Sequence, residues 1–462
     1  MRLNLSIAWA FLALGSIAVG VGGCGGGGGD RSTLPSPEPP GPCTSAPPQT
    51  GWTVNQAACS DKVKKVTVLN YINGANDLEE YMTLNVNQME EVGTTADVNL
   101  VVQYKRISAK TGDQDYDTSS GNWDDTRRFL IQRDSDFSNI TSPVLAQRPD
   151  CDMGDYRELQ NFIEWGVKAF PAERYILIIE NHGAGWRSQQ TRSAATPITR
   201  GLSYDDTTGN HIDTIEMPTA IDLDRVLPGH KWDVLVLDCS LMQMLEVAYE
   251  IQGKADWVVG SEESPPGRGY PYDTFLANLV RNPSMASRDF ALNVIDETWA
   301  TYGSNTNITQ SVLELSKIPA IVPELDGLGS ALMAAKTTWG NQIADARAAT
   351  DRYDYPENKD LVDFCRRLTE TPTGQTTPRV NDPGVINAAN RVQAAVRSAV
   401  VRYYAGTNGN ADSNGLAAFL PTPREYRTID IDQANGFGQR FSRLAISRDA
   451  PNWQSFLANG PN

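Results

Sequence analysis

Two short stretches hold residues that together could do chemistry. In NHGAGW, Asn181 to Trp186, a histidine stands before two glycines. In VLVLDCS, Val234 to Ser240, an apolar run ends in Asp238, Cys239 and Ser240. An imidazole beside a thiol or hydroxyl is the base and nucleophile that acyl transfer requires. Gly183 and Gly185 allow close backbone approach, so that an N–H can meet a developing oxyanion. His182 is one of only three histidines, with His211 and His230. A lone histidine more often caps or lines a turn, and the two glycines weigh against that reading here. Side chains of adjacent residues at a strand end point to opposite sides, so Cys239 and Ser240 cannot both face the histidine.

These residues need elements to position them. KKVTVLNYI is a buried strand by length and β-branching, and NDLEEYMTLNVNQMEEVG follows with helical apolar spacing. ADVNLVVQYKR is a second strand. A helix is expected from about Asp155 to Ala169, then strands YILIIE and WDVLVLD, a helix from LMQMLEVAYEIQG, and strand ADWVVGSE. Short apolar strands alternating with amphipathic helices predict a mostly parallel sheet covered on both faces. Ligands of such sheets sit at the carboxyl ends of the strands, where both reactive stretches fall.

The chain has 462 residues, 40% of them hydrophobic, enough for one large domain or two ordinary ones. Its net charge of −16, with no basic run, argues against nucleic acid and anionic headgroups as partners. No cysteine–histidine spacing suggests a metal site, and no cofactor motif is present. Arg2 precedes an apolar run ending in small residues before Cys24, which reads as an export signal over residues 1–23. VGGC resembles the lipobox of bacterial lipoproteins, which implies lipidation of Cys24 and a place in the bacterial cell envelope, with the lipid anchor as the only membrane contact. Residues 24–62 are Gly/Pro-rich and read as a flexible tether, leaving 63–462 as the folded domain, with a possible subdomain from about 320. Outside the cytoplasm Cys43 and Cys59, flanking a short loop, are a candidate disulfide. Pairing of Cys151 and Cys365 stays open.

Several blocks occur in a fixed order: NGANDLEEYMTLNVNQMEEVG, MGDYRELQNFIEWGVKAFPAERYILIIENHGAGW, GLSYDDTTGNHI, EMPTAI, DCSLMQMLEVAYEI, GSEESPPGRGYPYDTFLANL and NGLAAFLP. In these blocks the sequence resembles the clostripain-like cysteine peptidases, relatives of caspases, gingipains and legumains, over nearly everything after Val63. The resemblance implies a caspase-like α/β/α sandwich with a mostly parallel central sheet and additional C-terminal elements. It implies His182 as general base, with the Gly183 and Ser240 N–H groups as oxyanion donors. It also implies Asp238 in the pocket for an Arg or Lys side chain, and Ser261, Glu262 and Glu263 as candidate substrate-binding residues in a loop walling the cleft. Asp238 could equally cap a helix starting near Leu241, and the loop acids could equally form a solvated turn.

The family's nucleophile motif is Asp-Ala-Cys-Leu-Met. Here Asp238, Leu241 and Met242 keep that register, so Ser240 takes the cysteine's place and Cys239 falls on the alanine, facing away from His182. A thiol near neutral pH is already a few per cent thiolate, whereas a serine hydroxyl must give up its proton during attack to a well-oriented base. A Cys–His site without a third acid is therefore expected to run slowly or not at all with serine, and Ser240→Cys to raise the rate. The alternative is a non-catalytic cleft that binds a peptide or protein partner. The resemblance also implies self-processing after a basic residue between the histidine and the nucleophile, for which Arg187, Arg192 and Arg200, in a polar stretch expected to be an exposed loop, are the candidates.

Overall fold

Apolar strands that alternate between two buried faces form the centre of the fold. The computed structural model describes residues 33–38, 49–60, 62–108, 116–189, 199–304, 306–434 and 440–462. The strands are β1 (Thr53–Val54), β2 (Lys64–Gly74), β3 (Val98–Arg106), β4 (Thr126–Leu130), β5 (Val144–Arg148), β6 (Ala172–Glu180), β7 (Gly183–Gln189) and β8 (Thr199–Asp205). They continue with β9 (Asn210–Ile212), β10 (Trp232–Asp238), β11 (Ala255–Gly260), β12 (Thr309–Glu314), β13 (Asn358–Asp360), β14 (Val400–Ala405) and β15 (Ala417–Phe419).

Ten of them form one sheet in the order β1-β5-β4-β3-β2-β6-β10-β11-β12-β14. Its centre, β3-β2-β6-β10-β11, is parallel, and antiparallel strands extend both edges. Strands β7, β8 and β9 make a small separate sheet, and β13 pairs with β15. The expected loop from Arg187 to Arg200 begins and ends inside β7 and β8, while 190–198, with Arg192, lies outside the described residues.

Alternation along each central strand fills two cores. On β6, Leu177 and Ile179 enter one core with the helices Tyr156–Ala169, Ile321–Ala349 and Pro383–Ala399. Ile176 and Ile178 enter the other, with the helices Glu79–Glu90, Tyr272–Arg281 and Ser287–Tyr302. This is the helix-covered sandwich that the hydrophobic pattern implies. The helix Tyr156–Ala169 starts where expected because the Asp155 side chain accepts the Arg157 N–H. The segment Leu315–Ala349 is long and apolar enough to cross a membrane. Leu325, Leu328 and Leu332 within it are buried in the first core.

Parts of the Pro-rich segment lie against the body. Glu38 pairs with Lys64 at 2.9 Å, and Arg133 donates to the Pro35 carbonyl at 2.8 Å. Cys59 is disulfide-bonded. Its partner falls outside the described residues, as do Cys24 and Cys43, while Cys151, Cys239 and Cys365 are free and buried.

A buried ion pair ties the small sheet to the large one. Lys105 at the end of β3 meets Asp205 at the end of β8 at 2.7 Å and also donates to the Cys151 carbonyl. Both side chains are almost fully buried. Removing one member leaves a buried charge unpaired, which costs about 3–5 kcal/mol, whereas neutralising both costs far less. Lys105→Met is therefore expected to lower the unfolding free energy by about that amount. Chemical denaturation should show Lys105→Met/Asp205→Asn recovering most of the loss.

Candidate active site

Three parallel strands end side by side, and their next residues form the site. The register pairs Ile72 of β2 with Glu180 of β6, and Glu180 with Asp238 of β10. Beyond these ends come Asp77, His182 and Ser240. His182, Ser240, Glu180, Asn181 and Asp238 line one cleft of about 310 Å³, with Leu78, Met82, Asp354, Ser264, Pro265, Pro266, Gly267 and Gly269.

The strand ends are locked to one another through asparagines. Asn181 accepts the Tyr204 N–H at 2.6 Å, and its own N–H donates to the Asp238 carbonyl at 3.3 Å. Its side-chain amide also donates to the Asn73 carbonyl. Asn76 donates to the Tyr204 carbonyl at 2.9 Å and accepts the Leu78 N–H at 3.0 Å. The backbone on either side of Asp77 is thus fixed. Asp77 accepts a hydrogen bond from His182 Nε2 at 2.6 Å. That bond holds the Asp77 carboxyl below the usual carboxylate range, so it is ionised at neutral pH. The Tyr204 ring stands edge-on to the imidazole at 6.3 Å. Asp206 is the other acid whose field reaches His182.

The segment after β10 makes a sharp turn. Leu241 has φ of 64°, a left-handed conformation rare for a branched side chain. The helix begins only at Leu245, not near Leu241, because Ser240–Met244 is spent on this turn. The turn is pinned where the Gln243 N–H donates to the Ser261 carbonyl at 3.0 Å, and where the Gln243 carbonyl accepts the Ala417 N–H at 3.0 Å. Cys239 is fully buried in the first core, its thiol 3.4 Å from the Ile179 carbonyl. Burial pushes that thiol well above its ordinary pKa, with negative Asp238 adding to the effect, so it supplies no thiolate. Ser240, by contrast, is half-buried at the cleft.

The cleft floor is acidic. Asp238 is 4% exposed and accepts from the Tyr270 N–H and the Tyr272 hydroxyl, each at 3.0 Å, and so does not cap the following helix. Glu180 is 3% exposed; one oxygen accepts from Asn85 at 2.6 Å and the other has no hydrogen-bond partner. Burial raises both carboxyls. Asp238 reaches about 6, and Glu180 goes well above its usual value because negative Asp238 adds to burial. No lysine or arginine lines the cleft among the described residues.

Ser261 and Glu262 are not brought to the cleft. Ser261 is fully buried with its hydroxyl 2.9 Å from that of Thr309, and Glu262 accepts the Gly415 N–H at 2.9 Å. Glu263 is buried too, accepting the Ser264 N–H at 2.8 Å, so these three are packed rather than a solvated turn. The cleft wall comes from the next residues, Ser264 to Gly267 and Gly269, and from Asp354, which accepts from the Ser264 hydroxyl at 2.7 Å. Sequence reasoning had missed Asp77, Glu180 and Asp354. The first two sit within two or three residues of a strand end, which is the one signal available for them.

The parallel-centred sheet, helices on both faces, and a histidine and hydroxyl at neighbouring strand ends define a caspase-like α/β fold. The chain belongs to the clostripain family, whose sequence profile matches residues 70–459. It is similar to clostripain of Hathewaya histolytica, 25% identical over 246 residues, which are 49% of this chain and 44% of that protein. The chain thus matches less than half the length of that relative. Its fold is similar to a secreted C11 cysteine protease from Bacteroides thetaiotaomicron in complex with an irreversible peptide inhibitor. That likeness has TM-score 0.57 and 18% identity, covering 85% of this chain and 99% of the other. An inactive zymogen C11 protease from Parabacteroides distasonis matches at TM-score 0.55 and 16% identity, over 85% of this chain and 99% of that one.

Gly183 is the tightest point of the site. A Cβ there would lie 2.3 Å from the Ser240 carbonyl oxygen and 2.9 Å from Cys239 Cβ. Since the first contact is backbone, Gly183→Ala must push the Ser240 turn away from β7. It is expected to lower stability by about 1–3 kcal/mol, as overpacking does. Thermal unfolding of the variant beside wild type reads this directly.

Proposed function

We propose that this chain is an exported, lipid-anchored peptidase of clostripain lineage that takes peptides at arginine or lysine, with Ser240 as nucleophile and His182 as base. The observation that carries it is the floor formed by Glu180 and Asp238 beneath the cleft that holds His182 and Ser240. Two desolvated carboxyls with no lysine or arginine among the described cleft-lining residues, Arg268 of the neighbouring turn being exposed, suit a guanidinium or ammonium group, which makes charge-assisted hydrogen bonds there. The N-terminal signal and the secreted relatives support export. VGGC supports lipidation of Cys24. Full-length protein in detergent, given reporter peptides ending in Arg, Lys, Leu or Glu, tests the specificity. Preference for the acidic or apolar peptides would sink it.

Protons on the floor give this reading a pH signature. Asp238 and Glu180 have raised pKa values in the folded state, so their contribution to stability is full at acid pH and lost on raising the pH, that of Asp238 as pH rises through about 6. A bound cation offsets that loss by pairing with the ionised forms. A peptide ending in arginine amide should therefore raise the melting temperature more at pH 7.5 than at pH 5. The other ionisable groups of the cleft are His182 and Asp354, while burial keeps the Tyr270 and Tyr272 phenols protonated. Glu180→Gln and Asp238→Asn should flatten the pH dependence. A peptide-induced shift that does not change with pH in wild type counts against the floor as the basic pocket.

Lipidation is read separately. Fatty-acid labelling of the expressed chain should mark wild type and miss Cys24→Ala, and equal labelling of both would exclude the anchor.

A further inference from the structure

We propose that Asp77, His182 and Ser240 act as one acid–base–nucleophile set, making this a serine hydrolase site on the clostripain fold. The proposal rests on the peptide-cleaving reading of the cleft and adds the group that a hydroxyl nucleophile needs. Slow turnover was expected from a serine only because no acid was seen behind the histidine. The structure places one there, contributed by a different strand and 105 residues away in the chain.

The geometry assigns the tautomer. An ionised carboxylate only accepts hydrogen bonds, so His182 Nε2 carries the hydrogen that Asp77 receives, and Nδ1 carries the lone pair. Asp77 is 73% exposed and His182 32% exposed at the side chain, so neither is a buried structural ion pair. Their backbones are nonetheless fixed through Asn73, Asn76 and Asn181, whose side chains are buried. An exposed side chain on a clamped backbone, bonded through one carboxylate oxygen to the ring, is placed to orient rather than to fill space. Asp77 is thus a positioning residue; His182 and Ser240 are the catalytic ones. The sharp turn at Leu241 leaves Ser240 half-buried on the same cleft as the ring.

The chemistry balances without any further group. Ser240 Oγ bonds to the scissile carbonyl carbon as its proton passes to His182 Nδ1, and the carbonyl π pair moves onto oxygen. The carbonyl re-forms, the C–N bond breaks, and the amine leaves with the proton from the imidazolium. Water then attacks the Ser240 ester and gives a proton to Nδ1. The ester C–O bond breaks as that proton returns to Oγ. Asp77 stays ionised throughout, holding the tautomer and stabilising the imidazolium.

A serine-directed fluorophosphonate probe on the full-length protein, with mass mapping, tests this. Wild type should be modified at Ser240, and Ser240→Ala and His182→Ala should not. Asp77→Asn should lower kcat on Arg peptides by roughly 10²–10⁴-fold with little change in KM. It should also move the acidic limb of the rate profile to lower pH, since the imidazolium loses its carboxylate, while the melting temperature holds. A structural role alone would not move that limb. An unlabelled, inactive wild type whose Ser240→Cys form cleaves Arg peptides at a rate indifferent to Asp77→Asn would overturn the proposal and leave the basic-peptide reading standing. If neither form cleaves or binds such peptides, both fall together. Labelling and rates unchanged by Asp77→Asn would likewise remove Asp77 from the set.

Discussion

Everything at this site depends on the alternation of side chains along parallel strands held in register. Val68, Ile176 and Val234 lie level across β2, β6 and β10, so residues two, four or six positions further share one face. On β10 that face carries Val234, Val236 and then Asp238, and the opposite face carries Leu235, Leu237 and Cys239. On β6 it carries Ile176, Ile178 and Glu180, with Leu177 and Ile179 opposite. The core therefore decides which polar residues can reach the cleft. A one-residue slip of β10 would bury Asp238 among aliphatics and turn Cys239 to solvent, and the burial of Leu235 and Leu237 forbids it.

The same constraint accounts for the charge. Four apolar residues precede each strand end, so the first acid after them is dragged partly into the core. Glu180 and Asp238 are there because their neighbours must be buried, and the cost of desolvating them appears as their raised proton affinity. Tyr272 and Asn85 supply hydrogen bonds that reduce the cost without supplying charge. The floor is left holding protons that a bound cation would displace. That differs from Lys105 and Asp205, an equally buried pair closed within the protein.

The strands around the site were legible because their apolar runs are long and β-branched: WDVLVLD matches β10 end to end, and the helix after Asp155 begins at its cap. His182 and Ser240 were legible as residues at strand ends. Asp77 was not, because its meaning lies in a contact with a side chain far along the chain, and locally it reads as part of a helix start. Glu180 reads locally as the last residue of an apolar strand. The family resemblance implies Ser261 and Glu262 at the cleft, yet pairing with Thr309 and Gly415 draws them inward. Those partners belong to β12 and the approach to β15, which local pattern could not bring near.

In the proposed reading, recognition and chemistry are separated by two residues on each of two strands. Glu180 precedes His182 as Asp238 precedes Ser240, and the residues between, Asn181 and Cys239, point the other way. Asn181 ties strand ends together, and Cys239 fills the core. The pair that would hold a basic side chain is therefore set by the strands, while the pair that would attack the bond is set by the turns beyond them. A change of nucleophile from sulfur to oxygen disturbs only the second pair. It places its demand on the imidazole, because a hydroxyl needs a base held in one tautomer, whereas a thiolate forms more readily by itself. That demand falls on the end of β2, where a residue in register with neither β6 nor β10 is free to vary without touching the floor. Asp77 occupies that place.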